Sequence, residues 1–281
     1  MLRGRCLCGA VAFEVTGHVG MVMHCHCSMC RKFHGTPFCT HGVVPKDGLR
    51  WVAGRDAIGT YASSPDGGRP FCSRCGSNAP HELTDVALVP LGNLDGDPRA
   101  RPIAHIFVGS KAPWFEIADD VAQFDEYPPG LDARAVEGPA RTPTRPGVIT
   151  GSCLCDAVAY EIEGGFDVVR NCHCARCRRA RSAAHATNGF VAPDRFRFVR
   201  GEDRLVSYKL PEAERFMQHF CSTCGSVMPR AISGRPYVVV PMGGIDGDPG
   251  IRPNAHIFVG SKAPWYEIAD DLPRYEEYPT S

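Results

Sequence analysis

The chain has 281 residues with 31 basic and 31 acidic side chains, and this zero net charge excludes the basic footprint of a nucleic-acid or anionic-membrane binder. The length allows one large domain or two of ordinary size, and no apolar run is long enough to cross a bilayer. Cys6 arrives without a preceding apolar leader segment, so we expect a soluble, unexported, cytoplasmic protein. In that setting fifteen cysteines arranged as C-x-C and C-x-x-C pairs point to metal ligation rather than to disulfides.

In chain order, the first strand signal is the alternation of Val11, Phe13 and Val15 with Ala10, Ala12 and Glu14. Cys6 and Cys8 precede it, and as an extended pair they would share one face. Cys25-His26-Cys27-Ser28-Met29-Cys30 follows, with three thiols in six residues, and Arg31 and Lys32 come directly after. Leu49 to Val52 and Val86 to Leu91 read as further strands, separated by Phe71-Cys72-Ser73-Arg74-Cys75-Gly76-Ser77. Asp95-Gly96-Asp97-Pro98 reads as a turn, and a short helical turn is expected after Pro113.

The same order then repeats on the scale of a domain. Cys153-Leu154-Cys155 and the alternation of Val158, Tyr160 and Ile162 match the start, and Cys172-His173-Cys174-Ala175-Arg176-Cys177 matches the three-thiol stretch. Strands at Phe196 to Val199 and Tyr237 to Met242 flank Phe220-Cys221-Ser222-Thr223-Cys224-Gly225-Ser226. The run from His105 to Trp114 recurs letter for letter from His256 to Trp265. Pro129 to Gly147, rich in Pro, Gly, Ala and Arg, separates the copies, giving a first domain over 1–128, a linker over 129–147 and a second domain over 148–281. The fold class is mainly β.

Seven cysteines recur in each copy, and they divide into four and three. Cys6, Cys8, Cys72 and Cys75, and likewise Cys153, Cys155, Cys221 and Cys224, suit a closed tetrahedral structural zinc, with iron as the rival. Cys25, Cys27 and Cys30, and likewise Cys172, Cys174 and Cys177, leave one position open, which is the arrangement of a catalytic zinc; a second closed structural site is the alternative. Zinc with three thiolates carries a net negative charge and suits a substrate thiol held as thiolate. Arg31, Lys32, Arg178 and Arg179 follow the last ligand of each set, where they would offset that charge or grip a substrate carboxylate, or else lie solvated at the surface. His26 and His173 sit between two ligands with rings expected to point away from the metal. His105 and His256 read as packed histidines, with a fourth-ligand or acid–base role as the alternative. Cys39 has no counterpart in the second copy, where Ala186 stands, and reads as a small buried hydrophobe.

The order C-x-C-G, C-H-C-x-x-C-R-K, F-C-x-x-C-G-S and H-I-x-V-x-S-K-A-P-W resembles the glutathione-dependent formaldehyde-activating enzyme family, which has the Mss4-like fold. The resemblance covers nearly all of both copies. It implies two tandem Mss4-like domains with up to two zinc ions each, a structural one on the four-cysteine set and a catalytic one on the three-cysteine set. It also implies a carbon–sulfur lyase whose small-molecule partners are glutathione as co-substrate and formaldehyde, combined into S-(hydroxymethyl)glutathione. Members are commonly single domains, so the tandem chain is expected to pack as an internal pseudo-dimer. The second copy reads Arg178-Arg179-Ala180-Arg181-Ser182 where the first reads Arg31-Lys32-Phe33-His34-Gly35, which changes the wall of its pocket. The competing reading is a non-catalytic, zinc-stabilised protein-binding module.

Overall fold

The computed structural model describes residues 1–65, 67–131, 145–231 and 234–279; the central part of the expected linker lies outside the described residues. It is mainly β, in two halves that repeat one plan. Each half has a six-stranded sheet. In the first half its order is Ala122–Phe124, Pro102–Ile106, Gly20–Cys25, Cys39–Pro45, Val86–Pro90 and His81–Glu82. In the second it is Arg230–Ala231, Val238–Pro241, Ala186–Val191, Val168–Cys172, His256–Ile257 and Arg274–Tyr275. A small antiparallel sheet carries the first strand of each half, Leu2–Arg5 and Val148–Ser152. No helix among the described residues is long and apolar enough to cross a membrane.

The strand at Ala12–Val15 buries Phe13 and Val15, as its alternation anticipates, but Glu14 is buried too. The reason is charge: its carboxylate is paired with Arg3 and Arg50. Cys6 and Cys8 do not lie in a strand. They occupy a tight turn closed by Cys6 N–H to Val11 O at 3.0 Å and Gly9 N–H to Cys6 O at 3.2 Å, so the chain wraps around the sulfurs instead of presenting them on a pleat.

Two helices that apolar periodicity does not announce follow the three-thiol stretches: α1, Ser28–His34, and α2, Ala175–Arg181. Each starts on a cysteine. Cys27 Sγ accepts the Cys30 N–H at 3.3 Å, and Cys174 Sγ accepts the Cys177 N–H at 3.3 Å, so a cysteine sulfur fills the N-cap role that Ser or Asp usually takes. α1 ends on Gly35 at φ 68°, a left-handed cap where a side chain would also press on Pro241 and Val227 of the other half. In α2 the equivalent Ser182 accepts the same conformation, at φ 51°, and its hydroxyl donates to Asn78 O across the contact at 3.1 Å.

The halves exchange parts throughout. Trp265, from the second half, is buried in the first half's core with Val22, Phe38 and Val44, and Trp114 is buried with Val169, Met242 and Ile245 of the second. Met29, Phe33 and Phe71 cover the second half's four-cysteine set, while Ala180, Leu210 and Ala213 cover the first half's. Gly76 and Gly225, both at positive φ, let this happen: a Cβ on either would overlap the ring of Phe220 or Phe71 of the opposite half. Those two rings meet edge-on at 6.2 Å. Polar contacts join the same surfaces. Lys32 Nζ lies 2.9 Å from Asp246 Oδ1 with both side chains buried, Gln218 Nε2 donates to Cys75 O at 3.0 Å, and Arg179 pairs with Asp95. The tandem copies therefore pack as an internal pseudo-dimer with a shared core.

Candidate metal centres

The thiols gather into matched clusters. Cys6, Cys8, Cys72 and Cys75 place their sulfurs within 4.8 Å of one another, as do Cys153, Cys155, Cys221 and Cys224. Cys6 and Cys8 sulfurs are 3.4 Å apart and those of Cys8 and Cys72 3.8 Å, close to the ~3.8 Å separation of sulfurs on a tetrahedral zinc with ~2.3 Å bonds. Backbone amides already point at them, Val11 N–H at Cys6 Sγ and Val158 N–H at Cys153 Sγ, each at 3.3 Å. Hydrogen bonds from the Cys6 and Cys72 thiols push Cys75 far down, while Cys72 and Cys75 push Cys6 far up. Four thiols this close share protons until a cation replaces them, so the donor set fits zinc.

Cys25, Cys27 and Cys30 form one three-sulfur cluster and Cys172, Cys174 and Cys177 the other. The cross-strand pairing of Cys25 with Cys39, the turn at Cys27 and the first turn of α1 bring the first set together. Neighbouring thiols, Cys25 foremost, hold Cys30 well below the ordinary thiol range, and Cys172 and Cys177 lower Cys174 to about 3. Three sulfurs with one low thiolate again fit zinc, with a position left for a further ligand.

Charge around these sites comes from residues the sequence did not single out. Arg69 Nη1 lies 3.5 Å from Cys30 Sγ, with its guanidinium 5.6 Å above the Phe33 ring. Burial alone would lower Arg69, but the Cys30 and Cys27 sulfurs hold it above its ordinary value. Tyr127 stands in the same field: burial, then Cys25, Cys30 and Cys27, push its hydroxyl up to about 12. Tyr278 is raised for the same reasons beside Cys172 and Cys177. The repeated acidic-acidic-Tyr-Pro endings, Asp125 to Pro128 and Glu276 to Pro279, were the available signal. In the second half buried Arg181 and Arg230 occupy the cationic place, and burial, then Arg230, lowers Arg181 to about 9.

The four basic residues after the last ligands divide. Lys32 and Arg179 reach across to Asp246 and Asp95. Arg31 is buried, its Nε donating to His26 O at 3.3 Å, and Arg178 is half-buried near Cys174. His26 and His173 point into the interior, Nε2 of each meeting Nδ1 of His105 and His256 at 2.8 and 2.7 Å. His105 and His256 continue to Asp119 and Asp270, both at 2.9 Å. Burial, then His105, lowers His26 to about 3, so the ring stays neutral beside the thiolates.

Duplicated β halves, each with one four-sulfur and one three-sulfur cluster that could hold a metal ion, define a tandem cysteine-cluster fold. The family described as glutathione-dependent formaldehyde-activating enzyme matches residues 1–110 and 148–261, and the chain belongs to that family. An uncharacterised lyase of Schizosaccharomyces pombe is 32% identical over 74 residues, which cover 26% of this chain and 52% of that protein. This chain thus spans about half the length of that relative. A putative glutathione-dependent formaldehyde-activating enzyme of Halomonas elongata is 30% identical over 131 residues, covering 42% of this chain and 81% of that protein. A Rhodobacter sphaeroides protein of known crystal structure is 30% identical, with a TM-score of 0.31, 37% of this chain covered and 97% of that one.

Proposed function

We propose that this chain is a cytoplasmic carbon–sulfur lyase that joins glutathione, or another small thiol, to formaldehyde or another small aldehyde, and runs the reverse cleavage. The observation that carries this reading is the open three-sulfur cluster in each half with a cation and a tyrosine beside it. The family, and the name of the Halomonas relative, point the same way. We take residues 1–128 and 148–281 as the two domains.

Cys25, Cys27 and Cys30, and Cys172, Cys174 and Cys177, would hold a zinc ion whose remaining position stabilises a substrate sulfur as thiolate. The four-cysteine sets would hold structural zinc. Addition forms one carbon–sulfur bond, opens the carbonyl π bond toward oxygen, and moves the thiol proton to that oxygen, with no change of oxidation state. Tyr127, whose hydroxyl is pushed up to about 12 and so keeps its proton, would donate a hydrogen bond to the developing oxyanion; Tyr278 has this role in the second half. Arg69 balances the sulfur charge in the first site, Arg181 and Arg230 in the second. For a glutathione carboxylate we propose half-buried Arg178 over buried Arg31 and Lys32 and over Arg179, which is paired with Asp95.

Carbon-13 exchange NMR of labelled formaldehyde with glutathione tests the proposal. The zinc-loaded protein should speed interconversion of hydrated formaldehyde and the hydroxymethyl thioether, and Cys30→Ser with Cys177→Ser should abolish the acceleration. Exchange no faster than without protein would favour a binding module.

A further inference from the structure

The first half carries a cluster that the second half lacks. His34, Cys39 and His41 place one ligand atom each within 4.8 Å of one another. His34 and Cys39 are fully buried and His41 half-buried. At the equivalent places the second half has Arg181, Ala186 and Asn188, of which Arg181 Nη2 donates to Asn188 Oδ1 at 3.1 Å. One copy thus closes this space with a hydrogen bond, and the other fills it with three soft or borderline donors.

The His34 ring supplies a second, independent observation. Its Nδ1 lies 2.8 Å from the backbone carbonyl of Arg181, so it must carry the proton there. That leaves Nε2 with its lone pair, fully buried and without a hydrogen-bond partner. A buried, unprotonated nitrogen oriented by a carbonyl on its other nitrogen is the arrangement that metal-binding histidines adopt. Cys39 Sγ and His41 Nδ1 share a hydrogen bond at 3.2 Å, and a tetrahedral ion with a sulfur bond of ~2.3 Å and a nitrogen bond of ~2.0 Å would hold them ~3.5 Å apart, so a small outward shift admits it.

We propose that His34, Cys39 and His41 form an additional metal site, confined to the first half, for a borderline cation such as Zn(II). Two nitrogens and one sulfur bind it, and the Cys39 thiol proton is released to solvent on binding. Charge favours the pairing. A three-thiolate zinc at Cys25, Cys27 and Cys30 is formally anionic and a one-thiolate, two-imidazole zinc formally cationic, so the adjacent ions neutralise each other. Cys39 interacts with both Cys25 and Cys30, which puts the two sites side by side.

Cadmium-113 NMR of the full chain loaded with cadmium tests this, because the shift reports the number of sulfur ligands. The proposal requires five bound ions, two at four-sulfur, two at three-sulfur and one at one-sulfur, two-nitrogen shifts. Cys39→Ala with His41→Asn, the residues of the second half, should delete the fifth signal and keep the other four. If the variant does not fold, the wild-type count decides alone. The absence of a one-sulfur, two-nitrogen signal overturns the proposal, as does a first three-cysteine ion at a four-sulfur shift that reverts in Cys39→Ala, which would make Cys39 that ion's fourth ligand.

Discussion

Replacing Lys32 with Met tests whether the two halves depend on each other. Lys32 Nζ uses all three of its donors, at Asp246 Oδ1 (2.9 Å), Ser152 Oγ (2.7 Å) and Ser152 O (3.2 Å), and every partner belongs to the second half. At 2.9 Å the ion pair is worth about 6 kcal/mol at an effective dielectric of about 20, and desolvation of two buried charges offsets most of that. Removing Lys32 alone takes the cation away from a buried carboxylate, a loss of about 3–5 kcal/mol. With a urea dependence of roughly 3 kcal/mol per molar, the midpoint of the zinc-loaded protein should fall by about 1–1.7 M. Lys32→Met with Asp246→Leu should recover most of the loss, because the buried carboxylate goes together with its cation. A single variant within about 0.5 kcal/mol of the parent would refute the reasoning and place Lys32 outside the shared core.

Trp265→Ala should destabilise the protein by about 3–5 kcal/mol, and hydrogen exchange should show first-half strands opening although the substitution lies near the end of the chain. Cys72→Ser should unfold the first half and loosen the second, because Gly76 packs on Phe220, whereas Cys30→Ser should keep the circular dichroism of the parent and lose activity. Tyr127→Phe with Tyr278→Phe should lower kcat by about 10²-fold with zinc content unchanged. His185 is buried and burial, then His256, lowers it to about 3, below an unfolded value of about 6.5. The unfolded chain therefore binds one more proton than the folded one across that window, and stability falls as pH drops below about 6.5. His185→Phe, which copies Phe38 of the first half, should reduce the acid-side slope of stability by about 1.4 kcal/mol per pH unit.

The β class, the duplication and the division of sulfurs into fours and threes were legible because a repeated spacing needs no tertiary information. The exchange of Trp114 and Trp265 was not, since both copies read alike whether a segment packs on its own half or on the other. The helices escaped because their start signal is a cysteine acting as cap, and seven residues hold too few apolar positions for a period to emerge. Tyr127 and Arg69 reach the sulfurs from strands and turns far along the chain. Cys39 looked idle because comparison of the copies singles out what they share, and its partners His34 and His41 are what they do not.

On the proposed function, each half keeps a metal position open to a thiol. Zinc-edge X-ray absorption on the zinc-loaded chain, with and without glutathione, tests it most directly. The ions at Cys25, Cys27 and Cys30 and at Cys172, Cys174 and Cys177 should each gain one sulfur at ~2.3 Å when glutathione is added. Zinc at these sites whose sulfur count is indifferent to glutathione would contradict it.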